Sequence, residues 1–192
     1  MQEYPKEKIW NVPNCLTMLR MALLPVYWYF IMNDHLYIAL AIFIAASLTD
    51  LLDGYLARKN NQITNFGKLM DPLADKLMSI SVLLSMVLKG IAPWPVLVVL
   101  LCKEAIMVAG GLILLRHQVV VYSIWIGKLA QTVVVLALLS CFFHQWLLAH
   151  LGFPLHLWLL WIAVGLTLCA LFVYASQAVK QYREAVAKER QE

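Results

Sequence analysis

Charge is what this chain has least of. Asp, Glu, Lys and Arg make up 14% of its 192 residues, while the apolar and aromatic set AVILMFWYC makes up 62%. A soluble domain carries roughly 25% charged residues. One core inside a chain of this length could not shelter such an apolar excess from water. Soluble, disordered, fibrous, coiled-coil and secreted disulfide classes are therefore excluded, and a polytopic membrane protein is expected. Cysteine is equally sparse. Cys15, Cys102, Cys141 and Cys169 lie far apart, with no C-x-x-C pair and no interleaved histidines at zinc spacing. They read as small apolar residues within or beside hydrophobic spans. A cleavage site is also missing: Lys6 and Lys8 precede an apolar run, but Arg20 interrupts it and no small-x-small sequence follows. The run is expected to be a retained first span. No repeat, low-complexity tract or soluble domain is visible, so residues 1–192 read as a single membrane domain.

What the chain does have is long hydrophobic runs. A crossing helix needs about 20 mostly apolar residues. Six such windows occur, at about 15–33, 36–56, 71–90, 94–116, 121–145 and 154–177. The breaks between them are short, so successive helices are expected to be antiparallel neighbours in an all-α bundle. Residues 2–11, with Tyr4, Ile9 and Trp10 among charges, suit a short interfacial helix, and 178–192 a cytoplasmic tail. Lys6, Lys8, Arg20, Arg58, Lys59, Lys68, Arg116, Lys128 and the tail cations Lys180, Arg183, Lys188 and Arg190 all fall toward one side. The other set of loops has Lys89 alone. Positive charge stays cytoplasmic, which orients both termini to that side. The net charge of +4 is accounted for by topology and anionic lipid, not by nucleic acid.

Acids inside a membrane protein are costly and therefore informative. Of the eleven acidic residues, Asp50, Asp53, Asp71, Asp75 and Glu104 lie within or at the ends of spans, and the four aspartates fall within twenty-six residues. At about 100° per residue, Asp50, Asp53, Gly54 and Ala57 share one face at the end of the second span. Gly67, Asp71 and Asp75, at i, i+4 and i+8, form one stripe entering the third. Four carboxylates brought together would repel unless neutralised. Oxygen-only donors without His or Cys suit Mg²⁺, Mn²⁺ or Ca²⁺, one ion or two. Gly54 and Ala57 leave clearance for a ligand near the backbone. Arg58 supplies a planar fork suited to phosphate. Together these are the parts of a metal-assisted phosphoryl-transfer site.

Asp50-Leu-Leu-Asp53-Gly54-Tyr-Leu-Ala57-Arg58, eight residues, then Gly67-Lys-Leu-Met-Asp71-Pro-Leu-Ala-Asp75 resembles the full signature of the CDP-alcohol phosphatidyltransferases, D-x-x-D-G-x-x-A-R-x8-G-x-x-x-D-x-x-x-D. The flanks Pro13-Asn14-Cys-Leu-Thr17-Met-Leu-Arg20 and Thr64-Asn-Phe-Gly67 are similar to the branch of phosphatidylglycerophosphate synthases and single-signature cardiolipin synthases. The likeness covers about residues 9–130. It implies the six-helix architecture of that family and two divalent cations, Mg²⁺ or Mn²⁺. Asp50 and Asp71 would bridge both ions, Asp53 would serve one and Asp75 the other. Asp75 would also take the proton from the acceptor hydroxyl. Gly54, Arg58 and Thr64 would bind the CDP moiety, helped by Pro13, Asn14, Cys15 and Leu16. Ala57 and Gly67 would give close-packing clearance. The implied partners are CDP-diacylglycerol, sn-glycerol 3-phosphate and membrane lipids, in a homodimer of a bacterial cell membrane. The implied products are phosphatidylglycerophosphate and CMP. Phosphatidylglycerol as acceptor, which would make cardiolipin, is the rival. Divalent-cation transport would distribute carboxylates along the membrane normal, whereas here they gather at one side.

The same residues also admit plainer roles. Asp71-Pro72 has the form of a helix N-cap followed by Pro, but that leaves Asp75 unexplained. Asp50 and Asp53 as a mere acidic helix end would sit at a C-terminus, where the helix dipole disfavours anions. Lys103 near the middle of the fourth span and Lys128 in the fifth, with Arg116, are the cations available to an anionic acceptor. Related synthases commonly have Arg-Glu where this chain has Lys103-Glu104, and lysine keeps the charge without the bidentate fork. A structural pairing of Lys103 with a glutamate of another helix is the alternative. Ser123, Gly127, Lys128 and Gln131 share a polar stripe. His35, His144, His150 and His156 are expected to be solvated interfacial residues, and Trp94, Trp146, Trp158 and Trp161 to face lipid.

Overall fold

Asn11 begins the first helix by a local device. Its side chain accepts a hydrogen bond from the backbone N–H of Asn14 at 2.8 Å, and proline occupies the first turn. In the computed structural model residues 11–59, 65–116 and 125–189 are described, and they form seven α-helices and no strand. These are α1 (Val12–Met32), α2 (Leu36–Lys59), α3 (Asn65–Leu88), α4 (Trp94–Arg116), α5 (Trp125–Phe142), α6 (His144–Leu151) and α7 (Leu155–Glu189). The expected interfacial helix at 2–11 lies almost wholly outside the described residues.

Among the described residues four helical stretches are long and apolar enough to cross a membrane: Asn14–Met32, Trp94–Gly111, Trp125–Phe142 and Leu155–Gln181. The chain is thus an all-helical membrane protein. A shorter apolar stretch, Leu36–Thr49, opens α2. The third expected span falls on α3, which holds Asp71, Asp75 and Lys76 within its first half and is correspondingly less apolar.

Two compact units divide the chain, Met1–Ser85 and Met86–Glu192. In the first, α2 packs on α1 after the tight turn Asn33–His35, where Asp34 takes a left-handed φ of 62° and Asn33 Nδ2 donates to the Tyr29 carbonyl at 2.7 Å. Two side-chain bonds tie α1 to α3. Thr17 donates to Asp71, and the hydroxyls of Tyr27 and Ser85 share a buried bond of 2.6 Å. Both partners advance together along their helices, so α1 and α3 run parallel. Tyr27, Ile31, Ala39, Phe43, Ala46, Ala74 and Val82 fill this unit's core.

In the second unit α4, α5 and α6 each pack against α7. Ala130, Val134, Ala137, Leu138, Cys141, Leu160, Ala163 and Val164 are buried there. Small residues at these positions let helices approach closely where no hydrophobic effect drives them together.

Three boundaries differ from the sequence expectation. Helix α3 starts at Asn65, ahead of position 71, so Pro72 lies inside it and not at its first turn. Asp71 is therefore not an N-cap, and a continuous helix carries Gly67, Asp71 and Asp75 on one stripe. The expected fifth span of 121–145 ends at Phe142, and a separate α6 follows, closed by Gly152 at φ 72°. The stretch from Leu138 to Leu148 is mostly apolar, interrupted by Ser140, His144 and Gln145 alone, so a hydropathy window does not register the break. Finally, α7 continues through 178–189 instead of ending near 177. That stretch is rich in Ala, Lys, Glu, Gln and Arg with no Gly or Pro, so nothing in it terminates a helix.

Candidate active site

Backbone helicity alone arranges most of the signature. Asp50, Asp53, Gly54, Ala57 and Arg58 all belong to α2, and Gly67, Asp71 and Asp75 to α3. On α3 the i, i+4 spacing places Asp71 and Asp75 on one face, with Cβ atoms about 5–6 Å apart. Both carboxylates are half-buried, and Ala74 between them is fully buried. Thr64 falls outside the described residues, as do the side chains of Asp50, Asp53, Ala57 and Arg58 and the surroundings of Gly54 and Gly67.

From α1 comes a polar set of which the sequence reading placed only Asn14 in the site. Thr17 and Arg20 are each 1% exposed, and Asn14 is 2% exposed. The Thr17 hydroxyl donates to Asp71 Oδ1. Arg20, expected among the topology-setting cations, is instead packed within the protein one turn beyond Thr17. The signal available beforehand was the segment Pro13–Arg20 itself, whose polar residues recur at i, i+3 and i+6 from Asn14. Of the residues expected to help hold CDP, Pro13 lies in the first turn of α1, Asn14 is buried, Leu16 is half-buried and Cys15 is exposed.

The donor chemistry fits a hard divalent cation. Asp71 and Asp75 offer carboxylate oxygens, and the Thr17 hydrogen bond holds one Asp71 oxygen in place, as outer partners of metal ligands do. Among the described residues no three His, Cys, Asp or Glu side chains converge on a point. Asp50 and Asp53 are the remaining oxygen donors of the signature.

In the second unit a cavity of about 520 Å³ opens between α4, α5 and α7. Lys103 lines it from α4, Gly127, Lys128 and Gln131 from α5, and Thr167 and Tyr174 from α7. The two lysines expected to meet an anionic acceptor thus share one cavity, along with Gly127 and Gln131 of the stripe to which Lys128 belongs. Ser123 lies outside the described residues. Lys103 Nζ donates to Glu104 Oε1 at 2.5 Å, so among the described residues its carboxylate partner is its own neighbour. Lys128 is exposed to the cavity and makes no ion pair among the described residues. Arg116 ends α4, with its side chain outside the described residues.

The histidines are partly reassigned. His35 and His150 are exposed, but His156 is only 6% exposed, its Nδ1 lacks a hydrogen-bond partner, and its ring lies 5.8 Å from that of His144. Packing of α6 on α7 buries it, which hydropathy does not reveal. The four tryptophans are exposed, as expected for lipid-facing residues.

The CDP-alcohol phosphatidyltransferase family model matches residues 10–169, most of the chain. The chain belongs to the CDP-alcohol phosphatidyltransferase family. It is 32% identical over 185 residues to a CDP-diacylglycerol--glycerol-3-phosphate 3-phosphatidyltransferase of Bacillus subtilis, covering 88% of this chain and 95% of the relative. A protein of the same name from Aquifex aeolicus is 35% identical over 133 residues, 68% of this chain and 74% of its own. Human cardiolipin synthase (CMP-forming) is 38% identical over 104 residues, but the match covers 54% of this chain and 35% of the human one. As a member of this family the chain is a CDP-diacylglycerol-dependent phosphatidyltransferase of phospholipid biosynthesis.

Proposed function

We propose that this phosphatidyltransferase joins CDP-diacylglycerol to sn-glycerol 3-phosphate, giving phosphatidylglycerophosphate and CMP. The observation that carries the acceptor is the cavity that unites Lys103 and Lys128, because a small phosphate dianion needs cations inside its pocket. The near-complete overlap with the Bacillus subtilis relative supports the same choice over phosphatidylglycerol.

Asp50, Asp53, Asp71 and Asp75 would hold two divalent cations, Mg²⁺ or Mn²⁺. When bound, these supply charge neutralisation at the carboxylates and at the phosphates. Gly54 and Ala57 give clearance, and Arg58 and Thr64, with Pro13 to Leu16, hold the CDP moiety. Lys128, Lys103 and Arg116 hold the acceptor's phosphate. Asp75 takes the proton from the acceptor hydroxyl, whose oxygen attacks the phosphorus that bears diacylglycerol. A new P–O bond forms, the bond to the cytidylate oxygen breaks, and CMP departs.

The same reading has six crossings, an interfacial segment at 2–11, and both termini and the active site on the cytoplasmic side of a bacterial membrane. It also includes pairing of two copies. The distribution of Lys and Arg supports the orientation.

Purified protein given CDP-diacylglycerol tests the acceptor. Glycerol 3-phosphate, phosphatidylglycerol and inositol phosphate are offered separately and CMP is measured. Release with glycerol 3-phosphate is expected. Release with phosphatidylglycerol alone would make the chain a cardiolipin synthase.

A further inference from the structure

Serine and threonine hydroxyls in helices usually return their proton to a carbonyl one turn back. Seven among the described residues do so: Ser47 to Phe43, Thr49 to Ala46, Ser85 to Val82, Thr132 to Lys128, Ser140 to Ala137, Thr167 to Val164 and Ser176 to Val173. Thr17 reaches further: its hydroxyl donates from α1 to Asp71 Oδ1 on α3, between residues 54 apart in sequence. Thr17 itself is almost completely buried, so water does not compete for that bond. Asp71 is half-buried, with one face of its carboxylate engaged by the hydroxyl. A carboxylate bonded in this way loses rotational freedom about its side-chain torsions. The lone pairs not used by the hydroxyl are then presented in a fixed direction.

We propose that Thr17 is a positioning residue for divalent-cation binding: by donating to Asp71 Oδ1 it orients the remaining carboxylate lone pairs toward the ion. The inference rests on the reading of Asp71 as a metal ligand. Thr17 does not touch the ion or the reacting atoms. Its role is to lower the ordering that Asp71 must undergo when the ion arrives.

A second bond provides an internal control. Tyr27 and Ser85 also join α1 to α3 through buried hydroxyls, at 2.6 Å, but neither belongs to the carboxylate stripe. If the Thr17 bond only docked the helices, loss of either bond would act alike.

The measurement is Mn²⁺ binding to purified full-length protein without substrate, followed by the electron paramagnetic resonance signal of free Mn²⁺. Thr17→Val keeps the shape and removes the donor. It is expected to weaken Mn²⁺ binding by about 10- to 100-fold, the usual loss for an outer partner of a metal ligand. Thr17→Ser restores the donor and should bind close to wild type. Tyr27→Phe should lower the thermal midpoint without changing Mn²⁺ affinity. Unchanged affinity in Thr17→Val, or equal weakening in Tyr27→Phe, overturns the assignment while leaving Asp71 as a ligand. Failure of the wild-type protein to bind Mn²⁺ overturns the metal site itself, and this proposal with it. Circular dichroism without metal monitors folding, and Thr17→Ala serves the same comparison if the valine variant does not fold.

Discussion

The two units of the chain carry different polar resources. In residues 1–85 the signature carboxylates occur on α2 and α3, and α1 contributes the buried Asn14, Thr17 and Arg20. In residues 86–192 the polar resources are two lysines, a glutamine, a threonine and a tyrosine around a cavity. The first set suits hard cations, the second an anion. A phosphatidyltransferase needs both, since it gathers metal and phosphate but must keep the acceptor's charge apart from the ligand carboxylates. The difference also separates what can be tested: damage to the first unit should show in metal dependence and turnover, damage to the second in acceptor affinity.

The largest effect expected is on the cation side. Chelation with EDTA should remove CMP release entirely, and Mg²⁺ or Mn²⁺ should restore it; activity persisting in EDTA would end the metal assignment. Next, Asp75→Asn should lower kcat by about 10²- to 10⁴-fold, the usual worth of a positioned general base. Turnover at wild-type level would remove Asp75 from that role. On the anion side, Lys128→Met should raise KM for glycerol 3-phosphate by about 10- to 100-fold, the loss of one charge-assisted contact, while KM for CDP-diacylglycerol stays put. A change in both constants would blur the division between the units. The smallest effect belongs to a residue outside both sets. Gly152 closes α6 at φ 72° with no atom within 4 Å of an added Cβ, so Gly152→Ala meets only backbone strain. It should cost about 1 kcal/mol of stability and leave both KM values unchanged.

The signature carboxylates were legible because apolar surroundings make every acid conspicuous. Helical period then sufficed to put Asp71 and Asp75 on one stripe of α3 and Lys128 and Gln131 on one side of α5. What escaped was whatever depends on contact between distant segments. Nothing in the local sequence around Thr17 points to Asp71, and nothing around His156 points to its burial beside His144. The bend after Phe142 escaped for another reason: a window average registers apolarity but not direction. The true length of α7 was hidden because hydropathy marks where a helix leaves lipid, not where it stops being a helix.

That length has a mechanical meaning. At 1.5 Å per residue, the 35 residues of α7 make a rod of about 52 Å, well beyond the roughly 30 Å hydrocarbon layer. Thr167 and Tyr174 at the cavity and Arg183 and Lys188 near the far end belong to the same uninterrupted rod. Their angular positions are therefore geared together. Between the far end and the cavity wall the helix has no break, so the two are joined by continuous backbone hydrogen bonding.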